Sequence, residues 1–168
     1  MTLGELGTLM RSQRAAEGQK GKFIRIRDLK DNAIDYQIST GILDDVEIPR
    51  HAQKITESCL LLASRWKSLK PTFFEYTDTS IYISADILAF KVDQTKCDVF
   101  FLINELNSRY VSEQLDSLRT GDIIPMIRRE DLLSIVISLP SLDDQSLDKQ
   151  RTIVKQRLVA LSEEKRKS

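Results

Sequence analysis

The sequence predicts an α+β protein: a compact domain of mixed β-sheet and helix, followed by a long C-terminal amphipathic helix of coiled-coil character. Three observations predict it. Short β-rich runs dominate as far as Val92, the apolar residues switch to helical spacing between Asp98 and Leu118, and one periodic stripe occupies the chain from about Asp144 onward. With 168 residues, 41% of them hydrophobic, the chain is long enough to bury a core without metals or disulfides and too apolar to be disordered.

Taken in order, residues 12–22 are polar and contain Gly18 and Gly21, so they are expected to be a loop. Phe23-Ile24-Arg25-Ile26-Arg27 alternates. As a strand it would place Phe23, Arg25 and Arg27 on one face and Ile24 and Ile26 on the other. Two arginines on one face are either solvated or directed at an anion. Residues 28–53, with many Asp, Gly41 and Pro49, are expected to be loop with short strand pieces. Cys59-Leu60-Leu61-Leu62-Ala63 predicts a buried strand and Ser64 to Pro71 a loop. Phe73–Tyr76, Ile81–Ser84 and Ile87–Val92 predict three further short strands.

Val99, Leu102, Ile103, Leu106, Tyr110 and Leu118 then recur at helical spacing and predict one amphipathic helix across 98–118, stopped at Thr120-Gly121-Asp122. Residues 129–133 predict a short helix or turn, and Ile135-Val136-Ile137-Ser138-Leu139 a strand ended by Pro140. In the last segment Leu147, Arg151, Val154, Leu158, Leu161 and Lys165 follow the 4-3-4-3-4 spacing of a heptad seam, although two of these positions are charged. The cations of Lys165-Arg166-Lys167 suit a helix C-terminus. Such a stripe has to be covered, either by folding back on its own domain or by another helix or subunit. Leu147, Val154, Leu158 and Leu161 are the candidate interface residues. The chain thus divides into a domain at 1–142 and a helix at 143–168.

Charge and cysteine content narrow the function. Lys plus Arg and Asp plus Glu are both 25, which argues against an unspecific polycation. The charge is nevertheless segregated. Residues 11–27 hold six basic side chains against Glu17, residues 50–70 hold five against Glu57, and residues 76–137 hold six basic against ten acidic ones. Local patches, not net charge, set the field that a phosphate backbone meets. Cys59 and Cys97 lie in apolar strings and His51 is the only histidine. Four Cys/His zinc ligands are therefore not available, and buried reduced thiols are expected. No apolar stretch is long enough for a membrane span, and Met1 to Leu6 lacks a signal core, so a cytoplasmic protein is expected.

Five pieces in order resemble the target-recognition domain of type I restriction–modification specificity subunits. Leu3-Gly4-Glu5-Leu6 resembles that family's opening, and Phe23-Ile24-Arg25-Ile26-Arg27-Asp28-Leu29 its "w-i-x-i-x-D-l" strand. Leu60-Leu61-Leu62-Ala63-Ser64-Arg65 resembles its "d-i-l-l-s-r" strand and loop. Phe100 to Ser108 with Gly121-Asp122 resembles the "yL-yyL-S" helix and glycine loop. Leu132-Leu133-Ser134-Ile135 with Ile137 to Gln145 resembles the "l-x-x-i" segment and the Leu-Pro-x-Leu-x-x-Gln strand that leads into a long helix. Two features depart from the pattern. Arg11-Ser12-Gln13-Arg14 stands where Ser-Gly-x-Thr-Pro is usual, and Asp144 stands where Glu is commoner. Subunits of that family carry two such domains and two long helices, so this chain is half of one, a half-size subunit that pairs with itself, or a shortened piece.

The resemblance implies sequence readout without catalysis, by a chain that holds no cofactor. The expected partners are double-stranded DNA, a methyltransferase (modification) subunit that uses S-adenosylmethionine, a restriction subunit, and a second copy or second half-subunit. Arginine suits guanine, whose O6 and N7 accept its two donors. The candidate DNA contacts are Arg11, Arg14, Lys20, Lys22, Arg25 and Arg27 in the first basic segment. Arg65, Lys67, Lys70 and Thr72 form a second set, to which Arg50 and Lys54 belong as well. Gly121 is a place for backbone to approach a phosphate. Each cation has a plain alternative as a solvated side chain, and Trp66 as a packed aromatic. No phosphate-binding glycine loop and no Asn/Asp-Pro-Pro-aromatic tetrapeptide is present, and Glu163-Glu164-Lys165 matches a nuclease "ExK" element only within a charged helix end. The alternatives to a recognition subunit are an interaction or assembly subunit of the same fold without DNA binding, and the recognition tail of a fused restriction–modification enzyme.

Overall fold

The structure, a computed structural model, describes residues 1–11, 18–29, 43, 45–66, 68–77, 79–118 and 126–138. Among the described residues eight strands form two four-stranded sheets. They are β1 (Gly7–Leu9), β2 (Lys20–Ile24), β3 (Asp45–Glu47), β4 (Gln53–Ile55), β5 (Cys59–Ala63), β6 (Thr72–Phe74), β7 (Ile81–Ile83) and β8 (Ile87–Val92). The first sheet has the order β1-β8-β5-β6 and is antiparallel throughout. The second has the order β3-β2-β7-β4, with β2 and β7 parallel and the other pairs antiparallel. Three α-helices follow among the described residues, α1 (Val99–Leu106), α2 (Arg109–Leu118) and α3 (Arg129–Leu133).

The all-apolar run at β5 has a direct cause, because this strand is covered on both faces. Leu60 and Leu62 join Leu88 and Phe90 of β8 in a core shared with α1, α2 and α3. The alternate residues Cys59, Leu61 and Ala63, with Ile87 and Ala89, face a second core built with Ile24, Ile55, Ile81 and Ile83 of the other sheet. The molecule is therefore layered as helices, sheet, sheet. On the outer face of the second sheet, Phe23 and Tyr82 are covered by Ile48 and Ala52 of the turn between β3 and β4. Gly7 of β1 lies so close to β8 that an added Cβ would meet the Lys91 carbonyl oxygen at 2.1 Å.

Both cysteines are free and buried, as expected. Burial pushes each thiol up to about 12, helped by the carboxylates of Glu57 at Cys59 and of Asp98 at Cys97.

Four expectations are corrected. The strand at Phe23 ends at Ile24. Arg25 donates its backbone N–H to the Asp28 carboxylate at 2.9 Å, and Ile26–Asp28 turns into a 3-10 helix. The segment 12–22 is not all loop, since Lys20, Gly21 and Lys22 pair with β3. The helix at 98–118 is two helices. The Asn107 N–H closes α1 on the Ile103 carbonyl, and Ser108 Oγ accepts from Val111 N–H at 3.3 Å to start α2. The apolar period survives the break because Val111 and Leu115 of α2 enter the same core as Leu102 and Leu106. Ile135 to Ile137 forms a single bridge, Val136 to Thr2, in place of a strand. The Gln114 side-chain amide takes the other edge, accepting from Val136 N–H at 2.8 Å and donating to its carbonyl at 3.0 Å. Leu139, Pro140 and the whole segment 143–168, with Leu147, Val154, Leu158 and Leu161, lie outside the described residues.

Candidate nucleic-acid interface

Strand register brings four chain segments to one end of the two-sheet core. The parallel pair ends at Ile24 opposite Ile83, β4 begins with Gln53 opposite Ile83, and β5 ends with Ala63 opposite Ile87. Whatever follows Ile24, Ala63 and Ile83, or precedes Gln53 and Ile87, is therefore gathered there. The result is an open cleft of about 630 Å³ whose lining includes Arg25, Arg27, His51, Arg65, Asp86 and Met126.

Three guanidinium groups thus meet in one place. Arg25 lies over the Phe23 ring at 4.8 Å from its centroid, a cation–π contact that leaves the fork of donors available. Arg27 and Arg65 are exposed. Among the described residues no salt bridge engages Arg25, Arg27 or Arg65. Among the described lining residues the charge is therefore net positive, with Asp86 the one carboxylate.

The loop that carries Arg65 is fastened on several sides. Ser64 donates its N–H and its hydroxyl to the Asp86 carbonyl at 2.9 and 3.0 Å, while Ile127 N–H donates to the Ser64 carbonyl at 2.9 Å. At the other end of the loop Ala63 N–H donates to the Leu69 carbonyl at 2.7 Å. Lys70 then adopts a left-handed backbone with φ 44 and directs Nζ to the Ile26 carbonyl at 3.1 Å. Its ammonium also sits 5.6 Å from the centroid of the Trp66 ring, whose outer face is exposed. Lys70 thus ties the Arg65 loop to the turn that holds Arg27.

The other sequence candidates separate from this cluster. Lys22 is taken up internally, donating to the Leu43 carbonyl at 2.6 Å and pairing with Asp45 at 3.4 Å. Lys20 is exposed opposite Glu47, at the far end of β2 from Arg25. Arg11 lines a second groove with Lys54, Glu57 and Lys91, which shares no residue with the cleft. Thr72 is corrected as a contact: its side chain is fully buried and its hydroxyl donates to the Lys70 carbonyl at 3.0 Å. Arg14, Lys67 and Gly121 lie outside the described residues. Asp86, Ser84, Met126 and His51 also line the cleft, although none of them stands out in the sequence as a DNA contact. A Ser-x-Asp turn between two β-rich runs was the available signal.

Among the described residues no group of His, Cys, Asp or Glu is placed to hold a metal ion. No helix of these residues is long and apolar enough to cross a membrane.

No protein-family model matches the chain, and no curated protein matches it significantly in sequence. Solved structures do match it. The HsdS subunit from Thermoanaerobacter tengcongensis aligns over 99% of this chain and 42% of its own, at 20% identity and a TM-score of 0.66. A chain from a study of complex assembly and conformational transition in the type I R-M system aligns over 98% and 41%, at 16% identity and 0.61. The type I restriction-modification S subunit from M. genitalium aligns over 97% and 40%, at 15% identity and 0.52. The chain therefore has the fold found in part of these specificity subunits, and it spans about two fifths of their length.

Proposed function

We propose that the chain is a sequence-specific DNA-recognition module of a type I restriction–modification system, which brings a partner methyltransferase and endonuclease to a target site. One observation carries this reading: a fold shared with HsdS subunits gathers Arg25, Arg27 and Arg65, which no salt bridge among the described residues engages, into one positive cleft. Phosphate contacts would position the duplex and guanidinium forks in the major groove would read guanine. Trp66 and Lys70 flank the cleft as backbone contacts. Arg11 and Lys54 would meet phosphate from the second groove, and Lys20 from the far end of β2. Arg14, Lys67 and Gly121 retain their roles from the sequence.

In this reading residues 1–142 recognise DNA and the helix at 143–168 docks the modification subunit and a second copy or half-subunit. Leu147, Val154, Leu158 and Leu161 form its apolar seam. The methyl and hydrolytic chemistry belongs to the partners, and the assembly works in the cytoplasm beside the genome. The test is electrophoretic mobility shift with genomic fragments at low and moderate salt. Sequence-selective binding that weakens with salt supports the proposal. Absence of binding even with the modification subunit present would leave an assembly subunit that has the fold without the DNA.

A further inference from the structure

Resting on the DNA-recognition reading, we propose that Asp86 is the base-selecting acceptor of the cleft. It would read the exocyclic amine of cytosine beside the guanines taken by the arginines. A carboxylate does nothing for phosphate binding; it repels the backbone that Arg25, Arg27 and Arg65 attract. Asp86 nevertheless lines the same cleft and forms no salt bridge with any of them.

It is also held rigidly. Ser84 Oγ donates to Asp86 Oδ1, and the Asp86 carbonyl is fixed by two donors from Ser64. The Ile87 N–H closes the turn on the Ser84 carbonyl at 3.1 Å. No hydrogen bond among the described residues occupies Oδ2. An acceptor-only group fixed among donor-only groups has one complement on the duplex, a donor beside acceptors. In the major groove that pattern is shown by the cytosine N4 amine with guanine O6 and N7, and also by adenine, whose N6 amine lies directly beside its own N7. At adenine the neighbouring N7 repels the second carboxylate oxygen, and guanine or thymine in that position offers the carboxylate acceptors alone, so Asp86 rejects as well as selects.

The test is repeated selection of short duplexes with a randomised centre by the full 168-residue chain, its Asp86→Asn variant and its Arg65→Ala variant. Asparagine keeps an acceptor for Ser84 while removing the charge. The proposal expects the native chain to fix one cytosine next to guanine. Asp86→Asn should relax that position alone by roughly tenfold, with adenine now accepted. The variant should also bind unselected duplex more tightly at low salt, at an unchanged melting temperature. Should Asp86→Asn not fold, Asp86→Ser serves, and the same position should relax. A cytosine retained at full strength in both variants would overturn the proposal while leaving the arginine cleft standing. So would a fixed adenine in place of cytosine. If Arg25→Ala/Arg27→Ala/Arg65→Ala selects the same duplexes as the native chain, the cleft reading itself fails and takes Asp86 with it.

Discussion

Removing the three arginines should change how DNA binding depends on salt in a calculable way. Arg25, Arg27 and Arg65 come from separate turns but line one cleft, and no internal salt bridge among the described residues competes for them. If each neutralises one phosphate on unselected duplex, each contributes about 0.9 to the slope of log K against log salt, about 2.7 together. Across a fourfold change in salt, from about 50 to about 200 mM, those three contacts account for roughly a 40-fold fall in affinity, and one alone for about 3.5-fold. The assay is fluorescence anisotropy of a labelled duplex at four salt concentrations. The triple alanine variant should bind more weakly with a slope shallower by about 2.7, and each single variant by about 0.9. Lys22→Ala is the internal comparison. Its ammonium is already satisfied by the Leu43 carbonyl and Asp45, so its slope should match the native one. A triple variant with the native slope, or a Lys22 variant that shifts it as much as Arg65→Ala, would refute the assignment of the DNA surface to this cleft.

Other consequences are open to direct measurement. Cys59 and Cys97 should be unreactive toward a thiol reagent at pH 8 in the folded protein and titrate as two thiols on unfolding; rapid native labelling would contradict their burial. Both thiols are raised from 9.0 to about 12 by burial, so the unfolded chain ionises first. Their contribution to stability is therefore complete below pH 9 and lost as the pH climbs toward 12, which thermal melts across that window would show. Asp98 caps α1 by accepting from the Phe100 and Phe101 N–H groups at 3.1 and 3.0 Å. Asp98→Ala should cost about 1 kcal/mol, a fall of about 2–4 °C in melting temperature; an unchanged melt would show that the cap is dispensable. Leu158→Asp should weaken self-association in sedimentation without altering the melt of the 1–142 domain, whereas a native chain that stays monomeric at high concentration would remove the proposed seam.

How much of this was legible in the sequence follows from where each signal resides. β5 and β8 could be read because both strands are apolar on both faces, which follows from the layered cores on either side of them. The two-helix break at Asn107-Ser108 was hidden because the packing stripe continues through it. The 3-10 turn at Ile26–Asp28 was hidden because Phe23 to Arg27 alternates perfectly well as a strand; the hydrogen bond from Arg25 N–H to Asp28 ends the strand early. In sequence Lys20, Lys22, Arg25 and Arg27 form one basic run. Only strand pairing shows that Lys20 and Lys22 belong with β3 and the two arginines with the opposite end. Asp86 and His51 join the site through contacts of long sequence separation, which no local pattern encodes.

The most direct measurement is the methylation pattern of the genome in cells with the gene, without it, and with it carrying Arg25→Ala/Arg27→Ala/Arg65→Ala. A methylated sequence motif that disappears on deletion, returns with the native gene and does not return with the triple variant is the predicted result. A methylation pattern indifferent to the gene, or restored equally well by the triple variant, would contradict the claim that this cleft chooses the DNA site.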